Sequence, residues 1–169
     1  MNNDFFEEDF LKKKNFRCIG HNIKISKNTT IIGEQNISLG SNVRIDDYTI
    51  ISAENGSLTI GSNVHIGGQS YLGCSGNIEI GNNVNISQGS KLYSKINNYL
   101  EFEKNNNFDL KKIIIKDNVI IGSSSVIIGK CTIEEGVTIG ALSFVKENLK
   151  SWSVYAGNPI KFIKSRKKK

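Results

Sequence analysis

Proline is nearly missing from this chain, with 1 among 169 residues, whereas glycine occurs 16 times. Rigid proline turns and polyproline spacers are thereby excluded, and bends must come from glycine and asparagine, which tolerate positive φ. Long apolar runs are absent as well. None approaches the roughly 18 residues that cross a bilayer, so no membrane-spanning segment is expected. The opening MNNDFFEEDF lacks the basic and apolar regions of a secretory signal, which makes the cytoplasm the expected location. Cysteine is scarce: Cys18, Cys74 and Cys131 are an odd, widely spaced set without a CxxC pair. Idle thiols are expected there, rather than a disulfide framework or a metal site.

Positive charge is plentiful but confined. The net charge is +6, and the closing KFIKSRKKK alone carries 6 basic residues, so the rest of the chain is near neutral. No basic face interleaved with aromatics runs elsewhere, and nucleic acid is not an expected partner. The tail suits a solvated end, a clamp for an anionic cofactor or an attraction to an anionic surface.

What the chain has in abundance is a six-residue beat. Branched aliphatics recur as triplets: Ile19, Ile25, Ile31; Leu39, Ile45, Ile51; Ile60, Ile66, Leu72; Ile80, Ile86, Leu92; Ile115, Ile121, Ile127; Ile133, Ile139, Val145. Within a triplet the step is six, and between triplets it is six, eight or nine, apart from one gap after Leu92. A helix of 3.6 residues per turn would smear such a repeat over all its faces. Six residues do supply one short strand and one bend, and three such units close a triangular coil. One coil cannot bury its own inward side chains, so coils stack at roughly 4.8 Å. The prediction is an all-β parallel helix of about six three-sided coils.

Its ends and its one interruption differ in character. Over residues 4–14, Phe6 and Phe10 lie four apart, and Glu8 with Lys12 and Asp9 with Lys13 form i,i+4 pairs, which predicts a short amphipathic helix capping the open first coil. Residues 1–16 are assigned to this cap, 17–150 to the repeat and 151–169 to a basic closing segment in which KFIKSR suits a short helix. The loop 93–112 leaves the stack, and Tyr93, Tyr99, Phe102 and Phe108 suit packing against a neighbouring subunit. The first coil, Ile19 to Ile31, has few glycines and is expected to be irregular.

Register then identifies what stands outside one strand. Immediately before the middle aliphatic of successive coils come Arg44, His65, Asn85, Ile120 and Thr138. His65 is therefore expected one strand spacing from both Arg44 and Asn85, in a polar outer ladder. Of the two histidines, His21 falls in the first coil near the edge of the stack.

LGSNVRI, IGSNVHI and IGNNVNI, followed by the ending IGALSFVKENLKSWSVYAGNPIKFIK, resemble the left-handed β-helix hexapeptide acyltransferases, similar to maltose and galactoside acetyltransferases. The resemblance covers about Ile19 to Lys164. The stretch VHIGGQSYLGCSGNIEIGNNVNISQGSKLYSKINNY resembles, more narrowly, a subgroup that acylates nucleotide-linked amino sugars such as dTDP-4-amino-4,6-dideoxyglucose in surface-polysaccharide and O-antigen pathways. The left-handed sense comes from the resemblance alone.

The resemblance implies a homotrimer with acetyl-CoA as cosubstrate in clefts between neighbouring helices. By motif, Ser123 and Ala141 match contacts to the pantetheine arm, Lys146 is a cofactor candidate that stands where the family usually has threonine, and Lys161 and Lys164 match the basic pair near the adenine and 3′-phosphate. Lysine there lacks the bidentate fork of the usual arginine. Acyl transfer needs a positioned acceptor, a proton acceptor and donors for the oxyanion. Histidine is the natural base, and His65 is the candidate. Arg44, Asn85, Tyr93, Lys95, Asn97 and Asn98 are the candidates for holding the sugar substrate. Two departures stand out. The related acetyltransferases place their catalytic histidine in the loop after the fourth coil, where this chain has Lys95, and the subgroup's Asp-Asp is Asn97 and Asn98 here. Either His65 is the base or the acceptor is an amine that needs less help than a hydroxyl.

Three alternatives share the repeat. One is O-acetylation of a sugar hydroxyl, and another is a non-catalytic β-helix scaffold. The third, a γ-type carbonic anhydrase, needs three zinc histidines and is excluded unless cysteine substitutes.

Overall fold

A computed structural model describes residues 5–97 and 108–168, with Asn97 and Phe108 as backbone only. Asn98, Tyr99 and Phe102 lie outside the described residues, as do residues 1–4 and Lys169.

The six-residue beat closes into three parallel faces. The first is a six-stranded sheet running from Cys18–Ile19 through Leu58–Ile60 and Ile78–Ile80 to Cys131–Ile133. The second face begins at Lys24–Ile25 and continues through Val43–Ile45, Val64–Ile66, Asn85–Ile86, Ile120–Ile121 and Thr138–Ile139. The third runs from Thr30–Ile32 through Tyr71–Gly73 and Lys91–Tyr93 to Phe144–Val145. Each strand pairs in parallel with its counterpart one coil away, so inward positions form columns. Ile25, Ile45, Ile66, Ile86, Ile121 and Ile139 make one such column, and each is at most 1% exposed. The first coil, expected to be irregular, is in register on all three faces.

Corners explain the asparagines and serines. Asn22, Asn42, Asn63, Asn83 and Asn118 share the turn from the first to the second face, with φ of 54° to 62°. Asparagine adopts this left-handed conformation more readily than other side chains. Their amides bond one to the next, from Asn22 to Asn42 at 2.9 Å and from Asn42 to Asn63 at 2.9 Å. At the turn into the third face, Ser70, Ser90 and Ser143 are buried and donate to the carbonyls of Gly67, Ser87 and Gly140. The buried polar side chains among the described residues are thus satisfied.

Both ends are closed. The helix Glu8–Lys13 buries Leu11, Phe6 stacks on Phe10 at 4.7 Å, and the Phe6 amide bonds to the Ile25 carbonyl of the first coil. Of the two ion pairs expected on this helix, Glu8–Lys12 forms at 3.2 Å. At the other end the expected basic helix is a strand. Lys161–Ser165 turns back antiparallel onto Ser153–Ala156, which itself extends the second face beyond Thr138–Ile139. A strand edge offers unpaired amides and carbonyls, whereas an isolated single-turn helix would be marginal. Ile160, which leads into that strand, is buried at 8% exposure.

The excursion leaves after Lys91–Tyr93. Lys95–Asn97 and Phe108–Leu110 pair antiparallel, and the stack resumes at Ile113–Ile115 directly on Ile78–Ile80. Cys74 and Cys131 are buried, which pushes their thiols up to about 12 and about 11. Cys18 is exposed.

Candidate active site

Parallel register places Arg44, His65 and Asn85 side by side outside the second face. Alternation along a strand returns the chain to the same side two residues on, so Asp46 also faces outward beside Arg44. These four side chains form one connected chain. Arg44 Nε donates to Asp46 Oδ1 at 2.6 Å, and the other carboxylate oxygen, Oδ2, lies 2.7 Å from His65 Nε2. The far ring nitrogen, Nδ1, lies 3.0 Å from Asn85 Oδ1, and Asn85 Nδ2 donates to Ser87 Oγ at 3.3 Å. His65 thus meets Arg44 through Asp46 and keeps 42% of its side chain exposed.

Asp46 is the participant that motif reading missed. The signal was present in Arg44-Ile45-Asp46: an acid two residues past the ladder position, one coil from the histidine. Partial burial opposes ionisation of Asp46, but the hydrogen bonds and charges of His65 and Arg44 outweigh it and hold the carboxyl below its usual range. The carboxylate is therefore ionised at neutral pH and can hold a proton on the ring nitrogen it faces.

A cleft of about 540 Å³ opens beside this chain, at the corner between the second and third faces. Phe5, Arg44, Asp46, Tyr48, Gly68 and Gln69 are among its walls. His65 adjoins the cleft through Asp46. Gly67 lies at this corner, and a Cβ there would sit 2.5 Å from the Gln88 amide nitrogen of the next coil, so only glycine lets the coils close.

The cofactor candidates divide. Ser123 and Ala141 stack on this same corner in successive coils, the Leu142 amide bonding to the Ser123 carbonyl. Lys161 and Lys164 lie on the antiparallel strand that extends the second face, opposite Ala156 and Val154, and both are exposed. Ala156 comes within contact of Gly140, which puts the Lys161 backbone near the Ala141 corner. Lys146 stands apart, exposed beyond Phe144–Val145 on the way to the next corner.

The substrate candidates divide too. Arg44 and Asn85 flank His65, but Tyr93 and Lys95 belong to the third face and the base of the excursion. There Tyr71 lies over Gly73, where a Cβ would come within 2.9 Å of the ring, and meets Tyr93 with centroids 5.2 Å apart. Tyr71, Ser75, Tyr93, Lys95, Ile96 and Ile128 line a cleft of about 430 Å³ with this aromatic floor. Asn97 pairs with Phe108 through the backbone. His21 is exposed at a corner of the first coil. No cluster of three or more metal-ligating side chains occurs among the described residues.

Comparison with known proteins agrees with this architecture. Residues 112–147 match the family model for the bacterial transferase hexapeptide (six repeats). A dTDP-4-amino-4,6-dideoxy-D-glucose acyltransferase from Escherichia coli is 35% identical over 173 aligned residues, covering 98% of this chain and 90% of the relative. The crystal structure of AntD, an N-acyltransferase from Bacillus cereus, in complex with dTDP and 3-hydroxybutyryl-CoA superposes with a TM-score of 0.91 at 39% identity, covering 99% of this chain and 92% of AntD. A variant of AntD in complex with dTDP-4-amino-4,6-dideoxyglucose and coenzyme A gives a TM-score of 0.92 at 38% identity, covering 99% and 93%. The likeness runs over nearly the full length of the chain, which belongs to the hexapeptide-repeat acyltransferases, in the family of the dTDP-4-amino-4,6-dideoxyglucose acyltransferases.

Proposed function

We propose that this protein transfers an acyl group, acetyl in the first instance, from coenzyme A to the amine of a dTDP-linked 4-amino-4,6-dideoxyglucose or a close relative. The observation that carries this reading is the end-to-end likeness to AntD, whose structures hold dTDP, the amino sugar and coenzyme A derivatives. The site chemistry supports it. The acceptor nitrogen attacks the thioester carbonyl, forming a C–N bond as the C–S bond breaks. The proton lost from nitrogen passes to His65 Nδ1 and then to the leaving thiolate, so the charge balances. Asp46, held ionised, stabilises the imidazolium that forms.

A homotrimer suits the same geometry. Within one chain the His65 ladder and the Tyr71–Tyr93 floor face different sides, and a ring of three chains sets the second face of one against the third face of the next. Tyr48 and Ile50 at one end of the intervening corner and Leu142 four coils further along it are 64%, 41% and 75% exposed, apolar side chains that a neighbouring chain would cover. In that arrangement the aromatic floor with Lys95 suits the flat base and phosphates of the nucleotide, with Asn97 and Asn98 nearby in sequence. Ser123, Ala141, Lys161 and Lys164 follow coenzyme A along the corner, with Lys146 farther off. Among the described residues no helix is long and apolar enough to cross a membrane. A cytoplasmic step in surface-polysaccharide synthesis, such as O-antigen assembly, fits a nucleotide-linked acceptor.

The test is direct. The purified protein is incubated with acetyl-CoA or 3-hydroxybutyryl-CoA and a panel of dTDP- and UDP-linked sugars, some bearing amines and some only hydroxyls. Thiol release is followed together with product mass. Acylation of the 4-amino sugar is the expected result. Acylation confined to hydroxyl-only sugars would replace the reading with O-acylation, and no thiol release with any acceptor would leave a scaffold.

A further inference from the structure

We propose that Arg166 and Trp152 are positioning residues for coenzyme A: they lock the closing strand Lys161–Ser165 in a register that sets both of its lysines on the outer wall that carries His65. This rests on Lys161 and Lys164 meeting the nucleotide end of the cofactor.

Residues three apart on a regular strand point to opposite sides, so Lys161 and Lys164 would be divided between the two faces. A β-bulge prevents that. Lys161 pairs with Ala156 and Phe162 with Tyr155, but Val154 pairs with Lys164, and Ile163 is the extra residue. Paired residues share a face, so both lysines stand on the side of Val154 and Ala156, while Phe162 stands with Tyr155, their rings 5.8 Å apart. Val154 continues the outward position of Thr138, and Tyr155 the inward position of Ile139. Lys164 is thus the next member of the column His65, Asn85, Ile120, Thr138, Val154, five strand spacings or roughly 24 Å from His65. That separation suits a cofactor whose thioester and 3′-phosphate lie at opposite ends of a long arm.

Every residue of Lys161–Ser165 is exposed, so packing does little to hold this register. Its far end is what is tied down. The Arg166 amide donates to the Trp152 carbonyl at 2.7 Å, and Arg166 Nη1 donates to the carbonyls of Asn118 and Gly136 at 2.9 and 3.0 Å. A guanidinium only donates and a carbonyl only accepts, so these roles are fixed. Corner carbonyls of two successive coils are thereby joined to the end of the strand. Trp152 is the odd member of that corner. Its amide donates to the Glu135 carbonyl as the Gly136 amide does to Asp117 one coil back, and its φ is 52°. A bulky side chain is disfavoured in this left-handed position, where every coil below has asparagine or glycine. The ring compensates. A Cβ on Gly136 would fall 2.6 Å from it, and Arg166 Cζ and Lys168 Nζ lie 5.9 and 5.5 Å from its centroid.

The experiment measures donor kinetics of the full-length protein with acetyl-CoA, with acetyl-dephospho-CoA, which lacks the 3′-phosphate, and with acetyl-pantetheine, which lacks the whole nucleotide. Arg166→Ala should raise KM for acetyl-CoA about tenfold, with kcat and the KM for the amino sugar changed less than about twofold. The preference for acetyl-CoA over acetyl-dephospho-CoA should shrink, while turnover of acetyl-pantetheine stays as it was. Arg166→Lys, which keeps a donor and a charge, should recover part of the loss. Trp152→Asn restores the usual residue of the corner, so it should unfold no more readily than the unaltered protein and yet raise the same KM. Trp152 is the one tryptophan, and its emission should shift to the red in Arg166→Ala. Deleting Ile163 leaves both lysines opposite their partners and should change KM for acetyl-CoA less than about threefold, as removal of a bulge residue permits. A tenfold rise on that deletion would overturn the register. Unchanged donor KM in Arg166→Ala, or an equal loss with acetyl-pantetheine, would overturn the positioning role. The two readings fail separately. Lys161→Ala and Lys164→Ala variants that keep the full preference for the 3′-phosphate would end the part given to the lysines, whereas loss of that preference in them beside its retention in Arg166→Ala would end only the clamp.

Discussion

The strands of the second face carry two columns that differ only in which way they point. Inward stand Ile25, Ile45, Ile66, Ile86, Ile121 and Ile139, one residue type repeated in every coil. Outward, one residue earlier on the same strands, stand Lys24, Arg44, His65, Asn85, Ile120 and Thr138, with no repetition. Uniformity inside is what stacking demands, because each isoleucine fills the gap left by the one below. Variety outside cannot serve stacking, since any side chain would clear its neighbour. The polar members cluster in consecutive coils at Arg44, His65 and Asn85, joined by Asp46, and it is there that the second-face wall carries the proposed site.

Adjacent residues on one strand should therefore separate stability from activity. Ile66→Ala deletes fully buried methylenes between two coils and should cost about 2–5 kcal/mol in denaturant unfolding, the usual range for a large-to-small core change. His65→Ala, one residue away, should cost under about 1 kcal/mol, as for half-exposed hydrogen-bonded groups. Its effect should appear instead in turnover, which is expected to fall on the order of a hundredfold while coenzyme A still binds. A His65→Ala variant that unfolds as readily as Ile66→Ala would assign the outer column to the scaffold.

The corners extend the comparison to a position where outside and inside needs meet. Asn63 sits at φ 58° and bonds to Asn42 at 2.9 Å and to Asn83 at 3.1 Å. Asn63→Ala must hold a Cβ in the left-handed region and should lose about 1–2 kcal/mol. Asn63→Gly keeps the backbone at ease and forfeits only exposed amide bonds, so its loss should be about half as large or less. Equal losses from the two would place the energy in the amide ladder and not in the backbone.

The same division governs what could be read from the sequence. Columns are a matter of counting, so the coils, their register, the capping helix and the neighbours of His65 were all legible. The closing strand Lys161–Ser165 was not, because its conformation is set by the open edge of Ser153–Ala156 and not by its own residues. Asp46 was overlooked for a related reason. Columns join residues at equal positions, whereas Asp46 reaches His65 diagonally, from two residues past the ladder position and one coil away. Tyr71 and Gly73 likewise make an aromatic floor only once Tyr93 is laid beside them. Asn98, Tyr99 and Phe102 lie outside the described residues, so the excursion's expected packing is untouched by this comparison.

The smallest expected effect concerns acid. Asp46 has a folded pKa below its ordinary value of 3.8, a consequence of His65 and Arg44 outweighing burial. A depressed carboxylate stabilises the fold fully above its unfolded pKa, and that contribution fades as pH falls through the folded value. At neutral pH the pairing is therefore complete, and Asp46→Asn should lower unfolding stability by about 0.2–1 kcal/mol, the size expected for a solvent-screened pair. As pH drops from about 5 towards 2, the unaltered protein should lose this margin and the two stability curves should converge. A gap that stayed constant to the acid end would mean that Asp46 contributes through packing or neutral hydrogen bonds. Its charge would then have no part in the stability of the outer wall, and the contrast with the isoleucine column would rest on shape alone.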